Sequence, residues 1–166
     1  MPVPDFLRAI RARFGHGLVL MPAVSVVVRD DTGRVLVMRR ADTGDWSLPS
    51  GICEPGEPPA RTVARELWEE AGLRVVPERV LGVFHTDTIG YPNGDEACYV
   101  TTLFAARVVD GVLEARDGEA LELRFVSLDV LPRMRVLDWL PAPLDELLDQ
   151  RDASFAFDAR WLDELR

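Results

Sequence analysis

Within residues 4–13, the apolar positions Phe6, Leu7 and Ile10 recur at helical spacing and predict a short amphipathic helix. The pattern then changes. Residues 19–29 (VLMPAVSVVVR) and 34–40 (RVLVMRR) are nearly continuous apolar, β-branched runs around the turn Asp30-Asp31-Thr32-Gly33. They predict two strands joined as a hairpin. Residues 41–59 are rich in Gly and Pro, yet Trp46, Leu48 and Ile52 stud them with apolar anchors, so a structured loop is expected rather than a linker. Residues 58–71 predict a helix, with proline tolerated in its first turn and Gly72 as its stop. Strands are expected over 73–76, 79–86, 98–109 and 121–127, with a polar loop at 87–96 and a turn at Asp110-Gly111. A second helix is expected over 144–151, and residues 155–166 have no decisive pattern. Strands flanking one central helix, with another helix late in the chain, predict an α/β fold with a mixed sheet between helices. The length of 166 residues fits one domain over 1–166, without repeats or low-complexity segments.

Composition narrows the function classes. With 48% apolar and 28% charged residues the chain can bury a core without disulfides or a structural metal. The longest apolar run, around 18–28, is broken by Pro22 and Ser25 and is too short to span a bilayer. Arg8, Arg11 and Arg13 stand where an export signal needs its apolar stretch, so a cytoplasmic protein is expected. A net charge of −9 repels nucleic-acid backbones and anionic membranes. The expected partner is therefore a small molecule rather than a nucleic acid or a membrane, with homodimer formation left open. The 19 basic residues are all arginine, which excludes Schiff-base chemistry and a P-loop lysine. Cys53 and Cys98 lack CxxC spacing and are expected to be reduced, buried and inert. His16 and His85 are the only histidines, so a multi-histidine metal site is impossible.

The helix over 58–72 is chemically unusual. Ala60, Val63, Ala64, Leu67 and Ala71 form its apolar stripe, and Glu66, Glu69 and Glu70 lie off that stripe within an arc of roughly 100°. Like charges at these spacings cost about 0.2–0.5 kcal/mol per pair. Anions in the last turn are opposed by the helix dipole by about 0.3–1 kcal/mol each. Arg65 can relieve one of them. A divalent cation would relieve all three, and hard oxygen donors suit Mg²⁺ or Mn²⁺. On spacing alone, a solvated acidic face fits equally well.

The preceding loop separates the two. Gly51 is followed by five residues and Glu57, then by seven residues and Arg65-Glu66-Leu67-Trp68-Glu69-Glu70-Ala71-Gly72-Leu73. This segment resembles the Nudix box of the MutT-like hydrolases, with every specified position filled. Trp46-Ser47-Leu48-Pro49 and Glu54-Pro55-Gly56-Glu57 also resemble the family's approach to the box, and Ser50 departs from it where a second glycine is common. The resemblance covers about residues 19–131. It implies a Nudix fold and hydrolysis of a nucleoside diphosphate linked to another group. It further implies metal binding by Glu66, Glu69, Glu70 and the Gly51 carbonyl, with Glu57 at the loop–helix junction or reaching metal through water. Arg65 is similar to the family arginine that orients the glutamates.

Such chemistry requires a base. Glu69 is the candidate within the box, and Glu119 and Glu122 are the candidates from a later loop. Trp46, Phe84, His85 and Tyr91 are candidates for base stacking or ribose contact, and Asn93 lies in the polar loop where family members hold specificity. Tyr91, 18 residues after Leu73, is similar to a tyrosine of dinucleoside polyphosphate hydrolases. Asp87 and Thr88 stand where ADP-ribose hydrolases would have proline, and no coenzyme A-type extension precedes the box. The expected substrates are a nucleotide, a dinucleoside polyphosphate or a nucleotide sugar. Two other classes are a catalytically silent nucleotide-binding sensor, which the intact glutamate set disfavours, and an isoprenoid diphosphate isomerase, for which Cys53 is misplaced.

Overall fold

In the computed structural model, which describes residues 4–134, 136, 140 and 143–155, strand β1 (Val19–Arg29) is central. It runs parallel to β7 (Glu96–Gly111), in register from Val19 opposite Ala97 to Arg29 opposite Arg107. Beyond β7 lie antiparallel β5 (Leu73–His85) and then parallel β9 (Ser154–Phe155). On the other side of β1 come β2 (Val35–Arg40) and β3 (Trp46–Ser47). Three more strands join this path: β4 (Ser50–Ile52) on β1, β6 (Ile89–Gly90) on β7 and β8 (Ala120–Val126) on β2. The result is a mixed, nine-stranded sheet among the described residues.

Side-chain alternation along the strands builds a core on each face. Val27, Val35, Val37, Leu103 and Ala105 face Leu131 of α3 (Leu131–Met134) and Leu144 and Leu147 of α4 (Leu144–Asp149). Val24, Val26, Val28, Leu36, Phe104 and Ala106 face Val63, Leu67 and Ala71 of α2 (Pro59–Ala71). The central strands are buried on both sides, which is why they read as unbroken apolar runs. The mixed sheet between helices is the architecture expected from sequence. Helix α1 (Asp5–Phe14) adds a small third cluster, with Leu7 against Met21 and Ala97 and with Tyr91 and Tyr99 packed beside them. Arg79 donates to the carbonyls of Leu147, Leu148 and Gln150, satisfying the end of α4. No helix among the described residues is long and apolar enough to cross a membrane.

Several local expectations are corrected. The 19–29 and 34–40 strands meet only where Arg29 faces Val35, beside the turn. They then diverge, because β1 takes β7 and β4 as partners while β2 takes β8 and β3. Residues 73–76 and 79–85 belong to one strand, which ends before Thr86 and whose register shifts around Pro77 accommodate a residue that cannot donate to the ladder. Asp110-Gly111 is the end of β7 rather than a turn beyond it, and the late helix stops at Asp149. Of residues 155–166, all beyond Phe155 lie outside the described residues. Cys53 is buried as expected, but Cys98 is only half-buried, and both are free thiols.

Candidate active site

Helix α2 starts after Pro58, in extended conformation, and stops at Gly72, which adopts φ 68° and ψ 14°. Such a left-handed cap is cheap for glycine. Its inward face is wider than the apolar stripe suggests. Thr62, Val63, Glu66, Leu67, Glu70 and Ala71 are all buried, whereas Ala60 is exposed. Glu66 and Glu70 therefore lie within the fold, and Glu69 stays at the surface. Beside them runs β4, whose Gly51 is in register with Val24 of β1.

Arg65 organises the near end of the cluster. Its Nε and Nη2 donate to the two carboxylate oxygens of Glu57, each at 3.0 Å. Its Nη1 donates to Glu66 Oε1 at 2.9 Å and Glu69 Oε2 at 3.1 Å, and Nη2 also reaches the Ile52 carbonyl at 3.2 Å. One guanidinium thus ties the loop to the helix and spaces three carboxylates, more than the single relief expected from sequence. The buried Thr62 hydroxyl donates to Glu57 Oε2 at 2.9 Å. Arg65 and Thr62 hold the Glu57 carboxyl below its ordinary range.

Burial pushes Glu66 up to about 7, with Arg65 opposing. Burial, then repulsion from Glu66 and Asp117, pushes Glu70 up to about 9. The carboxylates of Glu70, Asp117 and Glu119 lie within 4.8 Å of one another. Among the described residues, Glu70 Oε2 and Asp117 Oδ2 are buried without a hydrogen-bond partner. Orphaned buried carboxylate oxygens are costly unless something satisfies them. An all-oxygen, anionic donor set of this kind fits a hard divalent cation. Arg40 Nε donates to Asp42 Oδ1 at 2.9 Å, and this bond is the main reason its pKa is raised, with nearby Glu70 adding a smaller push.

The other candidate residues scatter. Glu119 stands in the loop before β8, half-buried beside Glu70. Glu122 is on β8 opposite Arg39, exposed and 3.6 Å from Arg124, outside that carboxylate cluster. Trp46 packs against the core on the α4 side, and Arg124 covers its ring at 4.2 Å. Phe84 is buried in the same core, while His85 is exposed at the end of β5. The Tyr91 hydroxyl is 2.5 Å from that of Tyr99, so it packs the α1 cluster rather than projecting free. Asn93 closes its own loop by donating to Asp95 Oδ2 at 2.9 Å. Sequence reasoning missed Thr62, Arg40 and Asp117. Asp117, two residues before Glu119, could have been found as a second carboxylate in the same short loop.

The NUDIX domain profile matches residues 19–162. A MutT-like protein of Streptomyces ambofaciens is 52% identical over 65 residues, 39% of this chain and 42% of that protein. An RNA pyrophosphohydrolase of Halorhodospira halophila is 44% identical over 61 residues, 37% of this chain and 34% of that protein. The matched stretch thus spans less than half the length of either relative. Among solved structures, a MutT protein from Methanosarcina mazei Go1 is similar with a TM-score of 0.59 and 26% identity, covering 78% of this chain and 91% of that one.

Proposed function

The chain belongs to the Nudix family, and from that premise we propose that it is a metal-dependent pyrophosphohydrolase of small nucleotides. It would cleave the P–O–P bond of a nucleoside diphosphate linked to another group by attack of water at phosphorus. The single observation that supports this best is the pair of buried carboxylate oxygens, Glu70 Oε2 and Asp117 Oδ2, that have no partner among the described residues, in an all-oxygen donor set. Glu66, Glu70, Asp117, Glu119 and the Gly51 carbonyl would hold Mg²⁺ or Mn²⁺, with Glu69 completing the box at the surface. When bound, the cation supplies charge neutralisation for the diphosphate and a lowered pKa for water.

The chain's own residues supply the rest. Arg65 holds Glu66 and Glu69 through one nitrogen while anchoring on Glu57, so the carboxylates are positioned before substrate arrives. Glu69 takes the proton of the attacking water, and the leaving phosphate departs as an oxyanion. Arg40, in electrostatic reach of Glu70, offers positive charge to the diphosphate. Glu119 is a second reading for the base, favoured by its closeness to Glu70. A silent sensor would have no use for an intact, mutually repelling glutamate set. RNA, named for one relative, is disfavoured here by the net charge of −9.

The test is a panel of nucleoside triphosphates, dinucleoside polyphosphates, nucleotide sugars and 5′-triphosphate RNA, with Mg²⁺, in ¹⁸O-labelled water. Label on a phosphate-bearing fragment from a cleaved P–O–P bond, lost in excess chelator, is the expected result. Labelled inorganic phosphate from simple monoesters, with diphosphates untouched, would overturn the reading, as would no turnover across the panel.

A further inference from the structure

The last carbonyls of α2 are taken by a distant part of the chain. Glu114 N–H donates to the Ala71 carbonyl at 3.0 Å, and Arg116 N–H to the Glu70 carbonyl at 3.3 Å. The segment after β7 therefore crosses the end of the helix, and the residue following Arg116 is Asp117. The crossing is tight. A Cβ on Gly111 (φ +110°) would stand 2.3 Å from the Gly72 carbonyl oxygen, and one on Gly72 would stand 2.7 Å from Arg116 Nε. At its far end the segment is held by Ala41 N–H, which donates to the Glu119 carbonyl at 2.7 Å.

These backbone bonds set the height of the segment over the helix. Its side-chain fastening is separate. Trp68 is 41% exposed, on the outer side of α2 and just before Glu69 and Glu70 in sequence, outside the core clusters of the described residues. The Arg116 guanidinium lies over its ring, 4.3 Å from the centroid. Arg74 also lies over that ring at 5.1 Å, but it belongs to β5 and not to the crossing segment.

We infer that the Trp68–Arg116 stack is a latch that positions Asp117 and Glu119 against Glu70, and so sets how tightly this carboxylate cluster holds a divalent cation. The inference rests on the metal-holding reading above and deepens it. Neither residue touches the reacting atoms, so both are positioning residues. A cation–π contact at an exposed site corresponds to about a two- to fivefold change in an equilibrium constant.

The test is direct Mn²⁺ binding, read from the electron paramagnetic resonance signal of the free ion, alongside steady-state kinetics. W68L and R116Q should raise the Kd for Mn²⁺ about two- to fivefold, leaving KM for nucleotide unchanged at saturating metal. R116K, which keeps a cation over the ring, should recover most of the affinity. R74Q, which strips a cation from the same ring without touching the segment, should bind Mn²⁺ like the parent. Folded W68L and R116Q proteins with parental Mn²⁺ affinity would overturn the latch, as would R74Q weakening binding as much as R116Q. If W68L does not fold, the arginine variants decide. E70Q separates the two claims. If it binds Mn²⁺ as the parent does, the site reading falls and the latch with it. If it loses Mn²⁺ while W68L and R116Q retain it, only the latch falls.

Discussion

Glu66 occupies the space that a side chain on Gly51 would need: a Cβ there would stand 2.0 Å from Glu66 Oε1 and 2.1 Å from its Cδ. Gly51 cannot retreat, because β4 is held in register on β1 through Ala23, Val24 and Ser25. G51A should therefore displace the Glu66 carboxylate rather than the strand. Misplacement of a functional group by about 1 Å can cost about 10²-fold in rate. We expect kcat to fall by that order with the circular dichroism spectrum unchanged. Parental kcat in a folded G51A protein would show that Glu66 has another place to go.

The elevated carboxyl groups make stability depend on pH in an unusual direction. Glu66 moves from its ordinary value up to about 7 and Glu70 up to about 9. For a carboxyl whose pKa is raised by folding, the native state binds the extra proton. Stability is then greatest below the unfolded pKa and is lost as pH rises through the folded one. In chelator, Tm should fall as pH rises from about 5 to 9. E70Q, which cannot ionise, should flatten the upper part of that fall. Excess Mg²⁺ should restore the parent at pH 8 by compensating the carboxylates, and not E70Q to the same extent. Thermal melts across pH, with and without Mg²⁺, test this. A Tm in chelator that rises through the same range would contradict the burial of these groups.

How much of this was legible beforehand varied with the range of the interaction. The two-sided sheet was visible because Val26 to Val28 and Val35 to Val37 are apolar on both parities, which a strand covered on both faces tolerates. The box glutamates were visible as a local pattern. Their burial was not, since Glu66 and Glu70 are drawn inward by β4 and by the segment around Asp117, which are distant in sequence. How short the antiparallel pairing of β1 with β2 is was hidden for the same reason. A short turn at Asp30–Gly33 suggests a hairpin, but residues 96–111 and 120–126 win the two strands from one another. Tyr91 and Trp46 have no partner that the local sequence could show, because Tyr99 and Arg124 reach them only in three dimensions.

The Arg65–Glu57 pairing predicts a separation of stability from activity. R65K loses the planar fork that meets both Glu57 oxygens while also reaching Glu66 and Glu69. It should lower kcat at least about tenfold and raise the Mg²⁺ concentration needed for half-maximal rate. T62V removes only the hydroxyl donated to Glu57 Oε2. It should cost about 1 kcal/mol of stability with kcat within a factor of a few. Denaturant titrations paired with Mg²⁺-dependence of the rate will separate the two. Equal losses of kcat in both variants would make Glu57 placement, rather than the Arg65 fork, the controlling feature.

The identity of the base can be read from two substitutions and a control. Glu69 is at the surface, with one oxygen held by Arg65 at 3.1 Å. Glu119 is half-buried among carboxylates within 4.8 Å of one another, a place suited to holding a cation. Removing a general base costs about 10²–10⁴-fold. Under our assignment, E69Q should lose kcat by that order while its Mn²⁺ affinity changes only a few-fold. E119Q should instead weaken Mn²⁺ binding and recover near-parental kcat at saturating metal. The opposite pattern would assign the base to Glu119. Glu122, paired with Arg124 at 3.6 Å and exposed, serves as the control. E122Q should leave both metal affinity and kcat unchanged, and a loss in E122Q as large as that of E69Q would show that β8 contributes its own carboxylate to the reaction.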